Sequence, residues 1–128
     1  MIKYLLMFLL LIMSNSVWGL CLKPTAKQGA IADTVTTGIA LNFTNAIEVN
    51  PLGFIGSTIG KILLLNYRDD LPKESQEHID NIGGSLWMGA AINNVLVIVG
   101  AATPVSIFVG LTSGIIFYNM PPCEEKNN

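Results

Sequence analysis

Four apolar stretches, at about residues 31–49, 51–67, 85–103 and 104–120, fill most of this chain, with one long polar segment between the second and third. Each approaches the roughly 20 residues a helix needs to cross the hydrocarbon of a bilayer. In that medium a segment must satisfy its own backbone hydrogen bonds, which selects helices. Of the 128 residues, 51% are hydrophobic and 12% charged, about half the charge of a soluble domain. The pattern predicts an all-α fold: an integral membrane four-helix bundle made of two helical hairpins, over residues 20–128. No length is left for a separate soluble domain. A net charge of −2, with no basic patch, argues against a nucleic-acid partner and leaves membrane lipid as the expected surroundings.

A shorter apolar run precedes these spans. Met1-Ile2-Lys3 supplies a positive start, Tyr4 to Met13 an apolar core, and Val17 and Gly19 small residues near a cleavage point. These are the parts of a secretory signal peptide, residues 1–19. The competing reading is an uncleaved anchor. With cleavage, four spans put both mature termini outside, and the bacterial cytoplasmic (inner) membrane is the expected location. Cys21 and Cys123 then flank the bundle in an oxidising compartment, where a disulfide would tie its two ends. Two unrelated thiols are the alternative.

The turns are marked by proline. In Glu48-Val49-Asn50-Pro51, Asn50 suits a helix cap and Pro51 a first helical position, where its missing N–H is not needed. Thr103-Pro104 repeats the device between the last two spans. After each proline come glycines four apart, Gly56 and Gly60, then Gly110 and Gly114. Such spacing lets helix backbones approach closely. The polar segment at 68–84 carries Asp69, Asp70, Glu74, Glu77 and Asp80 against Arg68 and Lys73, and reads as an external acidic loop.

Polar residues within the spans are the candidate site. Asp33, Thr37, Thr44 and Glu48 recur at steps of three or four through Ala40, on one helical face. A charge in a span usually faces the bundle interior, although Asp33 and Glu48 also suit wet membrane edges. Lys61 lies ten residues after Pro51, about 15 Å along a helix. A hairpin folded at residue 50 sets it opposite Leu41 and Asn42, with Thr44 nearby, and Asn93 and Asn94 lie at mid-span. The expected cluster is Asp33, Thr37, Thr44, Glu48, Asn50, Lys61, Asn93 and Asn94, and hydrogen-bonded glue between helices is its simplest role. His78, in the acidic loop, reads as solvated. No metal-ligand spacing, cofactor motif or catalytic set is present, so neither metal, cofactor nor enzyme activity is expected.

The first hairpin resembles a family of small prokaryotic multi-pass membrane proteins of unassigned function. Their pattern is an aspartate early in one span, a threonine one turn on, Glu-x-Asn-Pro-Leu at the turn and a lysine in the next span. Here the matching positions are Asp33, Thr37, Glu48, Asn50, Pro51, Leu52 and Lys61, within residues 31–67. The resemblance implies an integral membrane protein with a polar intramembrane cluster and supplies no activity. Two functions fit the residues. One is a non-enzymatic membrane protein that associates with itself or a membrane partner. The other is a small ion or proton permeation, or membrane-permeabilising, protein.

Overall fold

A computed structural model describes residues 22–44 and 52–123. These form four helices: α1 (Ala26–Phe43), α2 (Gly53–Asp69), α3 (Lys73–Ile98) and α4 (Thr103–Asn119). No strand occurs among the described residues. The signal segment, Cys21 and the Asn45–Pro51 turn, with Glu48 and Asn50, lie outside the described residues. By length and composition α3 is long and apolar enough to cross a membrane, and α4 is a shorter apolar helix.

Local chemistry sets the helix ends. Thr25 and Gln28 form a capping box at the start of α1. Thr25 Oγ1 accepts from the Gln28 N–H at 3.3 Å, and Gln28 Oε1 accepts from the Thr25 N–H at 2.9 Å. Two otherwise unpaired donors are thereby satisfied. The helix therefore starts five residues before the expected span. At the far end of α3 the chain turns through Gly100, whose φ of 86° favours glycine. Ala101 N–H donates to Leu96 O at 2.9 Å and Gly100 N–H to Val97 O at 3.0 Å, the two bonds of a Schellman stop. Pro104 then sits in the first turn of α4.

Two boundary expectations are corrected. The acidic loop is mostly helix: α3 begins at Lys73, directly after Pro72, and only residues 70–72 separate it from α2. Glu74 in the first turn suits the positive end of the helix dipole. Likewise α2 starts at Gly53 rather than Pro51, and Leu52 before it makes no side-chain cap.

The central element is α3, which packs along α1 and along α4, while α2 meets α1 and α3 at few points. The packed seams are built from small residues. A Cβ placed on Gly89 would lie 2.6 Å from Gly110 O, and one on Gly114 would lie 3.2 Å from Ser85 O. Ser85 and Gly89 on α3 thus oppose Gly110 and Gly114 on α4, a small-xxx-small seam on both sides. On α1, Gly29 approaches Gly84. Of the glycines singled out, Gly110 and Gly114 face α3, while Gly56 and Gly60 face no other helix among the described residues. Among the described residues a Cβ on Gly60 would meet nothing within 4 Å, and one on Gly56 only Leu52 of its own turn.

Polarity across the molecule is inverted relative to a water-soluble core. Among the described residues the buried apolar side chains are Ala26, Ala30, Ala40 and Ala91. Asp33, Thr36, Lys61, Ser85 and Ser106 are buried beside them, while Ile59, Leu63, Phe108, Leu111 and Ile115 point outward.

Gly89→Ala should lower the melting temperature in detergent, because its new methyl meets backbone that cannot step aside. Gly60→Ala should be neutral or stabilising, since alanine is favoured over glycine in a helix by about 1 kcal/mol. Equal melting shifts from the two variants would contradict the seam described above.

Candidate functional site

Lys61 is the one buried residue of α2. Its ammonium sits 2.5 Å from Asp33 Oδ2 on α1, and the two residues are 7% and 9% exposed. Asp33 has further partners. Thr37, one helical turn on, donates its hydroxyl to Asp33 Oδ1 at 3.3 Å, and Asn94 of α3 donates Nδ2 to the same oxygen at 3.1 Å. The same Asn94 nitrogen lies 2.8 Å from Thr37 Oγ1 and 3.3 Å from Thr36 Oγ1. Three helices thus converge on one carboxylate. Burying two charges is costly, and good geometry plus added hydrogen bonds to the carboxylate offset that cost.

The other candidates divide. Asn93 donates to Asn94 Oδ1 over a long 3.4 Å, and its own buried Oδ1 has no hydrogen-bond partner. Thr44 donates back to Ala40 O at 2.6 Å, within its own helix. Asn42 is exposed and donates to Gly38 O at 2.6 Å. The expected pairing of Lys61 with Asn42 or Thr44 is therefore corrected: its partner is Asp33. The physical reason is register. Helix α1 ends at Phe43 and α2 begins at Gly53, so the two helices are not in the register that a turn centred on residue 50 would give. Lys61 consequently meets α1 about two turns nearer its N-terminus.

A second polar junction was hidden in the segment read as a solvated loop. Arg68, in the last turn of α2, grips Asp80 of α3 with two bonds, Nε to Oδ1 at 2.9 Å and Nη2 to Oδ2 at 2.5 Å. Asp80 Oδ1 also accepts the backbone N–H of Ala26 at 3.0 Å, so this carboxylate caps α1 from a neighbouring helix. The hydrogen bonding that Arg68 donates to Asp80 raises the Arg68 pKa above its ordinary value and outweighs the opposing effect of burial. Bidentate arginine–carboxylate pairs are among the strongest charged contacts. Nearby, Lys23 donates to Met120 O at 2.7 Å and Tyr118 O at 3.4 Å, joining the entry of α1 to the exit of α4. Cys123 Sγ lies 3.9 Å from Lys23 O, and the described residues hold no free cysteine. His78 is exposed, and among the described residues no three His, Cys, Asp or Glu side chains converge as metal ligands would.

The legible clue to the first junction was the rarity of polar residues in apolar stretches. For the second, the clue was an arginine and an aspartate flanking a proline turn, whose meaning depends on α3 beginning at the proline. Comparison with protein-family models, curated proteins and solved structures returns no match. The resemblance of the first hairpin rests on its own residues.

Proposed function

We propose that this chain is a non-enzymatic integral membrane protein, a four-helix bundle following a cleaved signal peptide, that acts by associating with itself or with another membrane protein. The observation that carries the reading is the state of α2. Ile55, Ile59, Ile62, Leu63 and Tyr67 are exposed on it, and its glycines Gly56 and Gly60 touch no other helix among the described residues. Polar contacts at Lys61 and Arg68 hold it to the bundle, and its outward surface remains for lipid and a partner helix. The inverted polarity and the apolar α3 support membrane residence.

Charge gathers at one end of the bundle, with Lys23, Arg68, Asp69, Lys73, Glu74 and Asp80. That distribution supports an external face there, with both mature termini outside the bacterial inner membrane. The closeness of Cys123 to Lys23, two residues from Cys21, supports a Cys21–Cys123 bridge on that face. Gly60→Cys should give a cross-linked dimer or a cross-linked partner in native membranes, and Leu111→Cys on α4 should give neither. A monomer in mild detergent with no cross-linked species from Gly60→Cys would defeat the association reading.

The Asp33–Lys61–Asn94 junction favours a second reading, a small ion or proton permeation protein, because ionisable residues buried in a membrane often mark conduction paths. Expression should then depolarise the host membrane, and Lys61→Met should abolish the effect. An unchanged membrane potential at high expression would remove this reading.

A further inference from the structure

Between α3 and α4 the small residues of the seam leave an open groove of about 520 Å³, within the usual range for a small-molecule site. Gly89, Gly110 and Gly114 line it together with Leu86, Leu111 and Ile115. Two polar side chains of α3 also line it. Each carries a buried atom without a hydrogen-bond partner among the described residues, Ser85 Oγ and Asn93 Oδ1. Ser85 is 1% exposed. A helical serine or threonine can bond back to the carbonyl one turn earlier, as Thr36, Thr44, Thr58 and Thr112 do here. Ser85 Oγ makes no such bond. Buried polar groups of native proteins are nearly always paired, and lipid along the groove brings no water to pair these two.

The two atoms define what would satisfy both. Eight residues separate Ser85 from Asn93, about 12 Å along α3. Asn93 Oδ1 can only accept, so an occupant must bring a donor to it. Ser85 Oγ can donate, so an oxygen acceptor suits it. Between them the groove passes Gly89 and is apolar. Charge sets the direction. Gly114 lies beside Ser85 and Gly110 beside Asn93, so Tyr118, one turn beyond Gly114, marks the Ser85 end. There Lys23 Nζ donates to Tyr118 O at 3.4 Å, which places a positive charge at that mouth of the groove.

We propose that the groove between α3 and α4 binds a free hydroxylated fatty acid. Its carboxylate lies at the Lys23 end and accepts from Ser85 Oγ, its chain runs past Gly89, and its hydroxyl donates to Asn93 Oδ1. An extended chain advances about 1.2 Å per bond, so the hydroxyl belongs about ten bonds from the carboxyl. A plain fatty acid would leave Asn93 Oδ1 unpaired. The inference rests on the membrane residence proposed above and on neither reading of activity.

The test is thermal melting of the purified full chain in detergent with three acids in turn: stearate, stearate bearing a hydroxyl on carbon twelve, and stearate bearing it on carbon two. A ligand that binds only the folded state raises the melting temperature with concentration. The acid hydroxylated on carbon twelve should reach half-saturation at about tenfold lower concentration than the other two, the worth of one good hydrogen bond. Asn93→Ala should abolish that preference, and Ser85→Ala should weaken all three acids alike. If neither variant folds, the three acids on the wild-type chain still decide the matter. Equal shifts from all three on wild type would overturn the site, as would a cross-link from Leu111→Cys to another protein, which would put a helix in the groove. A chain that stays dispersed without detergent would defeat the membrane reading and this site with it, whereas equal shifts from a chain that needs detergent defeat the site alone.

Discussion

Almost everything distinctive about this bundle follows from placing one carboxylate, Asp33, where three helices meet. A buried carboxylate needs both a counter-charge and hydrogen-bond donors. Lys61 supplies the first from α2, while Thr37 and Asn94 supply donors from α1 and α3. The requirement fixes the rotation of α1, because Asp33 must face inward with Thr36 and Ala40. It also fixes the height of α2, because Lys61 must reach the carboxylate. Helix α2 brings little packing of its own, so its place in the bundle is set by two charged contacts rather than by a hydrophobic seam.

The remaining helices are held differently. Along α3, Gly84, Ser85 and Gly89 bring its backbone close to the chain entering α1 and to α4. The core is made of alanine, glycine and serine, with many large apolar side chains outside, and these small residues let the helix backbones approach closely. The charged end has its own closure: Asp80 joins α1, α2 and α3, and Lys23 joins α1 to α4. At the opposite end of α3 and α4 the chain turns through Gly100 without a charged contact.

Much of this was legible in the sequence. The apolar stretches and the proline turns announce four helices, and Asp33, Lys61 and Asn94 stand out as polar residues inside them. The partner of Lys61 was not legible, because the register of two helices depends on where each one ends and starts, here Phe43 and Gly53. Residue identities around Asn50 do not fix those ends. The start of α3 was obscured by its acids, which suit a solvated loop and the first turns of a helix equally well. Glycine spacing was ambiguous too. Gly56 and Gly60 match the packing pattern as well as Gly110 and Gly114 do, but among the described residues only the second pair meets another helix. Thr25 and Gln28, three residues apart, carried the capping-box signal for the start of α1, and Ser85 with Gly89 carried the small-residue spacing of the α3 seam.

The account stands on the claim that the Asp33–Lys61 pair holds α2. Hydrogen exchange of the α2 amides tests it most directly, in wild type, Asp33→Asn, Lys61→Met and the double variant at one salt composition. Removing one partner of a buried pair typically costs about 3–5 kcal/mol because the other charge is left uncompensated. Lys61→Met strands the Asp33 carboxylate and Asp33→Asn strands the ammonium, so each single variant should lose protection across α2 while the α3–α4 seam keeps most of its own. The double variant should recover much of the α2 protection, since no buried charge is left unpaired. Equal α2 protection in all four chains, or loss spread uniformly over α2, α3 and α4, would contradict the claim.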